Sequence, residues 1–549
     1  MKAIVNVFVV LAVMSLLFGC SKKNDEIIDK NGVVQMTEED TTKETQDETN
    51  VTNKNNETNE NNETNDITGA ETGEAPVNTT NNQYKLFMTS PNNWVGDIMP
   101  MTDDKGIQLY YLFDTDHNGV GGVGYHPIYK FSTTNLYEYT DDGLAIPFAD
   151  SAKEPDVAIG TGSFLLADGV YHSFYTGHND AFPNIGEDKE RIMHATSYDN
   201  KTWTKIPEDT FRAPEGYSTD NFRDPFVFWS EEEGCYWMLI ATRTEKDGGF
   251  VARYTSEDLS KWTLQEPLNA PNKYYMMECP DLFKLGDYYY LFYSWNLVTY
   301  YAISDSIYGP FIEPENNILD GQAFYAAKTT EYDGKRYLFG FIDRKADEND
   351  TNNYSWAGNL CAYELEQNAD GTLRAKMPSQ FIDYFKSNMN LPEATIIGNA
   401  SINGTTAVVE SDGDTVVGVD FGTLPSTMLL TCKVTFNSED IGSGFSFGNE
   451  GEFDKALGIE LDIRKDLLRY DNCLISRMRY ADPKVYTSFD FETGTTYDLK
   501  LVVENEIIVL YMNDTKVLSN RIYRARGNGW GIFSVGGKTT FSDIEIFVP

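Results

Sequence analysis

Short runs of alternating apolar and polar residues recur from Tyr84 to about Lys376, separated by turns rich in Gly, Asp and Asn. No long segment with a helical period interrupts them, so the pattern predicts β-strands. The clearest strand candidates are 108–113, 171–175, 236–240, 288–293 and 337–341.

A second pattern lies between these strands: a strand end, an Asp or Asn turn, then an aromatic residue that starts the next strand. It occurs at 132–139, 197–203 and 256–262. A four-strand unit repeated every roughly 50–70 residues is typical of propeller blades. Residues 84–380 are therefore predicted to form a five-bladed β-propeller, the catalytic domain. One large β-sandwich is the alternative, but the serial repeat favours the propeller.

The C-terminal part of the chain alternates as well. Residues 381–393 are predicted as a linker, with a helix candidate from Phe381 to Leu391, and residues 394–549 as a C-terminal β-sandwich. Its strand candidates are 415–421, 429–436, 458–463, 497–503 and 507–512. The chain is thus predicted to be all-β.

The N-terminus has a different character. Met1-Lys2 and the apolar run Ala3 to Phe18 predict a secretory signal over residues 1–20. The stretch 17–21, Leu-Phe-Gly-Cys-Ser, resembles the bacterial lipobox and predicts that Cys20 is lipidated; a plain signal peptide is the alternative. We therefore expect an extracytoplasmic protein held at the bacterial cell membrane or surface by a lipid alone.

Residues 21–83 are rich in Glu, Asp, Thr and Asn and contain few apolar residues. Such a stretch buries too little apolar surface to offset chain entropy, so it is predicted to be a disordered tether.

The amino-acid composition narrows the range of partners and folds that the chain can have. The net charge of −41, from 44 basic and 85 acidic residues, argues against nucleic acid or anionic lipid as a partner. The 34 Tyr and 32 Phe suit a β-fold and supply rings that stack on sugars. Apart from Cys20, five cysteines are scattered widely along the chain, and such a set does not form a disulfide framework. A disulfide between Cys432 and Cys473 stays an open alternative. With five His and no CxxC, we expect no metal and no other cofactor.

Three acids lie in similar local contexts. Asp97 follows Val95-Gly96 and precedes apolar residues, and Asp224 lies between Arg223 and Pro225 at the start of an apolar strand. Glu278 lies in an apolar, thiol-flanked stretch, which suits a general acid that stays protonated near neutral pH.

These acids head the innermost-strand candidates of the first, third and fourth blades. Because innermost strands of a propeller converge on one axial pocket, we expect the three to meet there. A carboxylate nucleophile and a second carboxylic acid are the two catalytic groups of a retaining glycosidase.

The same residues carry a family resemblance. Trp94 with Asp97, Arg223-Asp224-Pro225 and Glu278-Cys279-Pro280 resemble the three signature boxes of glycoside hydrolase family 32, which contains invertases, levanases, inulinases and related fructosyltransferases. Supporting matches are 161–163, 175–177, 194–197, 320–325, 356–360 and, late in the chain, 513–523.

The resemblance implies a retaining displacement at a β-D-fructofuranoside. Asp97 is then the nucleophile, Glu278 the acid/base, and Asp224, with Arg223 beside it, a binder of fructose hydroxyls. Further candidates for the walls of the pocket are Trp94, Phe113, Ser163 and Trp356. The expected partner is a polysaccharide or oligosaccharide, acted on by a monomer.

The first box departs from the family. The family's box normally reads Asn-Asp-Pro-Asn-Gly, whereas this chain has Gly96-Asp97-Ile98-Met99-Pro100. The acid remains, but the amide before it, a usual partner of a fructose hydroxyl, is missing. Two other functions therefore stay open: another five-bladed propeller glycosidase, for example on arabinofuranosides, and a non-catalytic glycan-binding lipoprotein. The sandwich is expected to bind polysaccharide or to brace the propeller.

Overall fold

The computed structural model describes residues 83–90, 93–114, 125–244, 248–269, 273–439, 441–449 and 453–549. The predicted signal, Cys20 and the predicted tether up to residue 82 lie outside these ranges. Within them, no helix has the length and apolar character needed to cross a bilayer.

Five antiparallel blades follow one another along the first part of the chain, and the first and last are joined in one eight-stranded sheet. Blade 1 contains Trp94–Asp103 (β1), Gly106–Asp114 (β2), Ile128–Thr133 (β3) and Tyr139–Ile146 (β4). Blade 2 contains Ala158–Ala167 (β5), Val170–His178 (β6), Glu190–Ser197 (β7), Thr204–Lys205 (β8) and Phe211–Arg212 (β9), with 3-10 turns at Phe182–Ile185 and Pro207–Asp209.

The remaining blades have the same order from the axis outwards. Blade 3 contains Phe222–Ser230 (β10), Cys235–Arg243 (β11), Gly249–Ser256 (β12) and Thr263–Leu264 (β13). Blade 4 contains Glu278–Leu285 (β14), Tyr288–Trp295 (β15) and Val298–Ser304 (β16). Blade 5 contains Phe324–Tyr332 (β17), Lys335–Lys345 (β18), Tyr354–Gln367 (β19) and Leu373–Lys376 (β20), with a 3-10 turn at Ala346–Glu348.

The ring closes between the first and last blades. Val95 of β1 pairs with Gly358 of β19, and the carbonyl oxygen of Met88 accepts the N–H of Leu360 at 2.8 Å. The chain segment before β1 therefore adds to the last blade and joins both ends of the propeller.

The predicted linker is partly wrong. Its helix, Phe381–Tyr384 (α1), is a single turn that ends well before Leu391, and Ser387–Met389 (β21) already pairs with a strand of the sandwich. The stretch after Tyr384 contains two Asn residues and Pro392, which favour leaving a helix. The sandwich therefore begins earlier in the chain than residue 394.

Two sheets face each other in the C-terminal domain. The strands after β21 are Thr395–Ile397 (β22), Ala400–Asn403 (β23), Thr406–Glu410 (β24), Val417–Thr423 (β25), Thr427–Phe436 (β26), Gly442–Phe447 (β27), Leu457–Asp462 (β28), Leu467–Tyr470 (β29), Val485–Ser488 (β30), Thr496–Glu504 (β31), Ile507–Met512 (β32), Lys516–Arg521 (β33), Gly529–Val535 (β34) and Lys538–Val548 (β35). Short helical turns lie at Phe453–Lys455, Ile475–Met478 (α2) and Tyr523–Ala525. The sheet orders are β23-β24-β35-β26-β31-β32-β33, with β21 on β35, and β22-β25-β34-β27-β28-β29-β30.

The prediction of an all-β chain with a five-bladed propeller and a sandwich is confirmed. The inner faces of the two sandwich sheets bury one continuous apolar core, as alternation predicts. Cys432, on β26, and Cys473, beside α2, are both free thiols, so the disulfide left open by the sequence does not form.

Candidate active site

A repeated irregularity shapes the axial end of the propeller. In every innermost strand the pairing register shifts at the same end, which marks a β-bulge. The residues left unpaired at these bulges are Asp97 in blade 1, Thr161 in blade 2, Asp224-Pro225 in blade 3, Cys279-Pro280 in blade 4 and Ala326-Ala327 in blade 5. Bulges re-aim side chains next to active sites, and here they turn side chains of several blades towards the axis.

The backbone at three of these bulges is left-handed. Asp224, Cys279 and Ala326 have φ values of 60°, 53° and 53°. Non-glycine residues adopt this conformation at a cost, and it persists where surrounding structure fixes it. In blades 3, 4 and 5 the residue just before the bulge, Arg223, Glu278 or Tyr325, also faces the pocket.

An open cavity of about 280 Å³ lies on the axis. Asp97, Asp224 and Glu278 all line it, as do Arg223 and Trp356, so five of the eight predicted pocket residues meet there. The other lining residues are Leu112, Tyr125, His126, Ala158, Ile159, Gly160, Thr161, Thr176, His178, Glu190, Cys279 and Tyr325.

Three predicted pocket residues lie elsewhere among the described residues. The Trp94 ring packs under the guanidinium groups of Arg344 and Arg521, 5.2 and 5.9 Å from the ring centre. Phe113 stacks on Tyr129 at 4.1 Å in the apolar core.

Ser163 is the third of these. It is buried, and its hydroxyl accepts the N–H of Val227 at 2.9 Å, which braces blade 2 against blade 3. Ser163 therefore does not line the cavity, and its contact with substrate stays a prediction.

Asp97 is held in one orientation by donors from two other blades. The Thr161 hydroxyl donates to Oδ2, and the Trp356 indole Nε1 donates to Oδ1 at 3.3 Å. Burial raises the pKa of the Asp97 carboxyl, the charge of Glu278 raises it further, and the bonds from Thr161 and Trp356 oppose this. The carboxylate is therefore oriented and poorly solvated, as suits a nucleophile.

Glu278 is bound on both oxygens. Arg223 Nη2 lies 2.7 Å from Oε1, and the Tyr325 hydroxyl donates to Oε2. Arg223 is in turn held by Glu190, whose Oε1 lies 3.4 Å from Nη1. Burial would raise the pKa of Glu190, but Arg223, His178 and the Phe222 N–H hold it below its usual value.

Asp224 is almost completely buried. Its Oδ2 accepts the N–H of Cys279 at 2.9 Å, and its own N–H donates to the Thr176 hydroxyl at 2.9 Å. Burial raises the pKa of Asp224 to about 7; Arg223 lowers it, and the charges of Glu278 and Asp97 raise it.

The unusual first box has a structural cause. A Cβ atom on Gly96 would lie 2.3 and 2.5 Å from Cη2 and Cζ2 of Trp356. The indole therefore occupies the space that a side chain at position 96 requires. The same indole supplies an N–H to Asp97, so the donor beside this carboxylate comes from blade 5 and not from the preceding residue.

Several pocket residues were missed as candidates. Thr161 and Tyr325 belong to stretches that matched the family without a role, and only their place beside the bulges would have identified them. His178 ends β6 and Glu190 begins β7, and the sequence between them shows a polar loop and nothing more. Among the described residues, no cluster of His, Cys, Asp and Glu is arranged to hold a metal ion.

A propeller whose innermost strands bring three carboxylates and an arginine into one axial pocket is the arrangement expected of a glycosidase. The family model of the glycosyl hydrolases family 32 N-terminal domain matches residues 87–371, more than half of the chain. The chain belongs to this family.

Comparisons with known proteins agree with this family assignment. The chain is 22% identical over 504 residues to the levanbiose-producing levanase of Bacillus subtilis (strain 168), covering 83% of this chain and 89% of that protein. It is 29% identical over 220 residues to raffinose invertase of Escherichia coli, but this match spans 39% of the chain and 44% of the relative. The chain thus spans less than half the length of that relative.

Solved structures show the same fold. Fructan 1-exohydrolase IIa from Cichorium intybus superposes with a TM-score of 0.64 at 16% identity, over 85% of this chain and 97% of that one. Sucrose-6-phosphate hydrolase from Lactobacillus gasseri superposes with a TM-score of 0.63 at 18% identity, over 85% and 92%. At these identities the likeness concerns the architecture alone.

Proposed function

We propose that the chain is a retaining glycosidase that hydrolyses β-D-fructofuranosidic bonds in fructans or sucrose. The observation that carries the proposal is the meeting of Asp97, Asp224 and Glu278 in one axial pocket, in a chain of family 32. The long match to a levanase favours fructans, and family membership favours fructosides over the arabinofuranoside alternative.

In the first step, Asp97 Oδ attacks the anomeric carbon of the fructosyl unit and forms a covalent ester. The bond to the leaving oxygen breaks, and Glu278 gives that oxygen a proton. In the second step, Glu278 takes a proton from water, and the resulting hydroxide attacks the same carbon and frees Asp97. Two inversions restore the starting configuration.

Asp224 and Arg223 complete the pocket. The Asp224 carboxylate, fixed by the Cys279 N–H, accepts bonds from sugar hydroxyls and faces the positive charge that develops on the sugar ring. Arg223 spans Glu190 and Glu278, so it keeps the acid/base at the wall where the leaving group departs. With no side chain at position 96, hydroxyl binding rests on these groups.

A substrate panel of sucrose, inulin and levan, with released sugars measured, tests the proposal. We expect fructose or fructo-oligosaccharides from at least one, and NMR during the reaction should show products with retained configuration. Clean inversion would exclude the double displacement. Binding of a fructan without any hydrolysis would establish the non-catalytic alternative.

Variants test the assignment of roles. Asp97→Ala and Glu278→Ala should each lower kcat by about 10³-fold or more, because each removes a group that takes part in bond making or breaking. Ser163→Ala is the matched control: it alters a buried polar residue of the same propeller that does not line the pocket. Near wild-type turnover by either acid variant would contradict the assignment.

We also propose that Cys20 carries a lipid that holds the protein at the outer side of the bacterial cell membrane. The proposal is supported by the apolar run before Cys20 and by the residues around it. Metabolic labelling with a fatty acid should mark the wild type and not Cys20→Ala, which should be released from the membrane fraction. An unlabelled wild type would instead support a plain signal peptide.

A further inference from the structure

A stack of three side chains, one exposed and two half-buried, lies at the rim of the propeller, outside the cavity. Tyr275 is 46% exposed, yet its ring stacks on Trp295 with centroids 5.3 Å apart and planes 26° apart. The Arg243 guanidinium lies 3.9 Å from the centre of the Tyr275 ring. We call Arg243, Tyr275 and Trp295 the rim stack.

The strand directions place the rim stack at the pocket end of the propeller. Glu278 opens β14 at that end, and Tyr275 precedes it by three residues. The antiparallel strand β15 returns to the same end and finishes at Trp295, next to Ser294, which pairs with Glu278. Arg243 ends β11 of blade 3, which likewise returns to this end.

The rim stack therefore lies at the seam between blades 3 and 4. The same seam carries the ion pair between Arg223, from blade 3, and Glu278, from blade 4. Trp295 packs at its base against the apolar cluster between these two blades, which fixes its ring. An aromatic stack that is held in place and left exposed at a pocket rim is an organised surface for a ligand.

We infer that the rim stack binds the sugar of the leaving group. This inference rests on the proposed function, in which Glu278 protonates the leaving oxygen, so the departing sugar must lie on the side of Glu278. The C–H faces of sugar rings pack on aromatic rings, and a guanidinium donates hydrogen bonds to hydroxyls. The site thus recognises a second sugar residue of an oligosaccharide, beyond the fructosyl unit that reacts.

Two substrates that share the reacting fructosyl unit but differ in leaving group test the inference: a fructo-oligosaccharide, which releases a sugar, and methyl β-D-fructofuranoside, which releases methanol. Trp295→Ala should lower kcat/KM for the oligosaccharide by about 5- to 10-fold, the size expected for loss of one aromatic contact. For the methyl fructoside, kcat/KM should change by less than about twofold, because methanol reaches no part of the stack.

Tyr275→Ala is a second variant, since its exposed ring can be removed with less effect on the core than Trp295. Tyr198→Ala is the matched control: Tyr198 is 83% exposed and follows β7 at the end opposite the pocket, so both substrates should be unaffected. Equal losses on both substrates, or no loss on either, would overturn the inference. A wild type that hydrolyses neither substrate would instead overturn the proposed function, and the inference with it.

Discussion

The contact between Gly96 and Trp356 leads to a quantitative prediction. Gly96 does not have a left-handed backbone, so alanine can adopt its conformation, and only the added Cβ matters. That atom would lie 2.3 Å from the indole, whereas carbon atoms in contact stay about 3.5 Å apart or more. Gly96→Ala must therefore displace the ring of Trp356 by more than about 1 Å.

The displaced ring has two effects. It weakens the bond from Nε1 to Asp97, now 3.3 Å, and it moves a wall of the pocket. A misplacement of about 1 Å costs about 10²-fold in rate, so we expect kcat to fall by about this factor. Because His126 and Phe341 pack against the indole, overpacking should also lower the free energy of unfolding by about 1–3 kcal/mol.

Steady-state kinetics on the panel substrate that the wild type hydrolyses would measure the loss in kcat, and denaturant unfolding would measure the loss in stability. The decisive comparison is made in the Trp356→Ala background. There the new methyl group has no ring to meet, so adding Gly96→Ala should cost less than about twofold more. A wild-type rate for Gly96→Ala, or equal losses in both backgrounds, would refute the explanation of the first box.

Two further predictions concern ionisable groups. Burial raises the pKa of Asp224 to about 7 and the group acts as a carboxylate, so kcat/KM should fall as the pH drops below about 7. Arg223→Gln should move this acidic limb of the pH–rate profile to higher pH, because Arg223 lowers the pKa of Asp224, whereas Arg223→Lys should leave it in place. An unmoved acidic limb in Arg223→Gln would contradict the assignment. Burial raises the pKa of Glu504 from 4.5 to about 7, so its contribution to stability is complete below about pH 4.5 and is lost as the pH rises through 7. In thermal unfolding, the wild type should lose up to about 3 kcal/mol more than Glu504→Gln over this range.

The carboxylates were predictable because each lies at the head of a strand, and a propeller brings the heads of its innermost strands together. Asp97, Asp224 and Glu278 thus follow from local sequence and the blade repeat. The residues that surround them could not be predicted in this way, because their partners come from neighbouring blades. The bond from Trp356 to Asp97 joins residues 259 positions apart, and no local pattern indicates it.

The direction in which side chains point was the second feature that the sequence did not predict. Trp94 lies three residues before Asp97, an odd spacing that puts the two side chains on opposite faces of β1, and its ring faces two arginines and not the pocket. Ser163, two residues after the bulge at Thr161, points to the next blade. A resemblance transfers a residue type to a position, whereas the bulge decides which way that position faces.

The late motif matches are explained by the contact between the domains. Asp320, just before blade 5, accepts the N–H and hydroxyl of Ser519 at 2.8 and 2.6 Å. Arg521, fully buried, pairs with Glu506 and bonds Asn359 of β19, both at 2.6 Å. These family-like residues of the sandwich therefore hold the last blade.

The sandwich also holds the segment that closes the ring. The Glu504 carboxylate accepts the N–H groups of Lys85, Leu86 and Phe87 at 2.8 to 3.3 Å. The next residue, Met88, pairs with β19, the strand that carries Trp356 against Gly96. Loosening the sandwich would thus free both sides of the seam between blades 1 and 5, where Asp97 lies. This connection favours bracing as the role of the sandwich, since the geometry of Asp97 depends on a closure that the propeller does not hold alone.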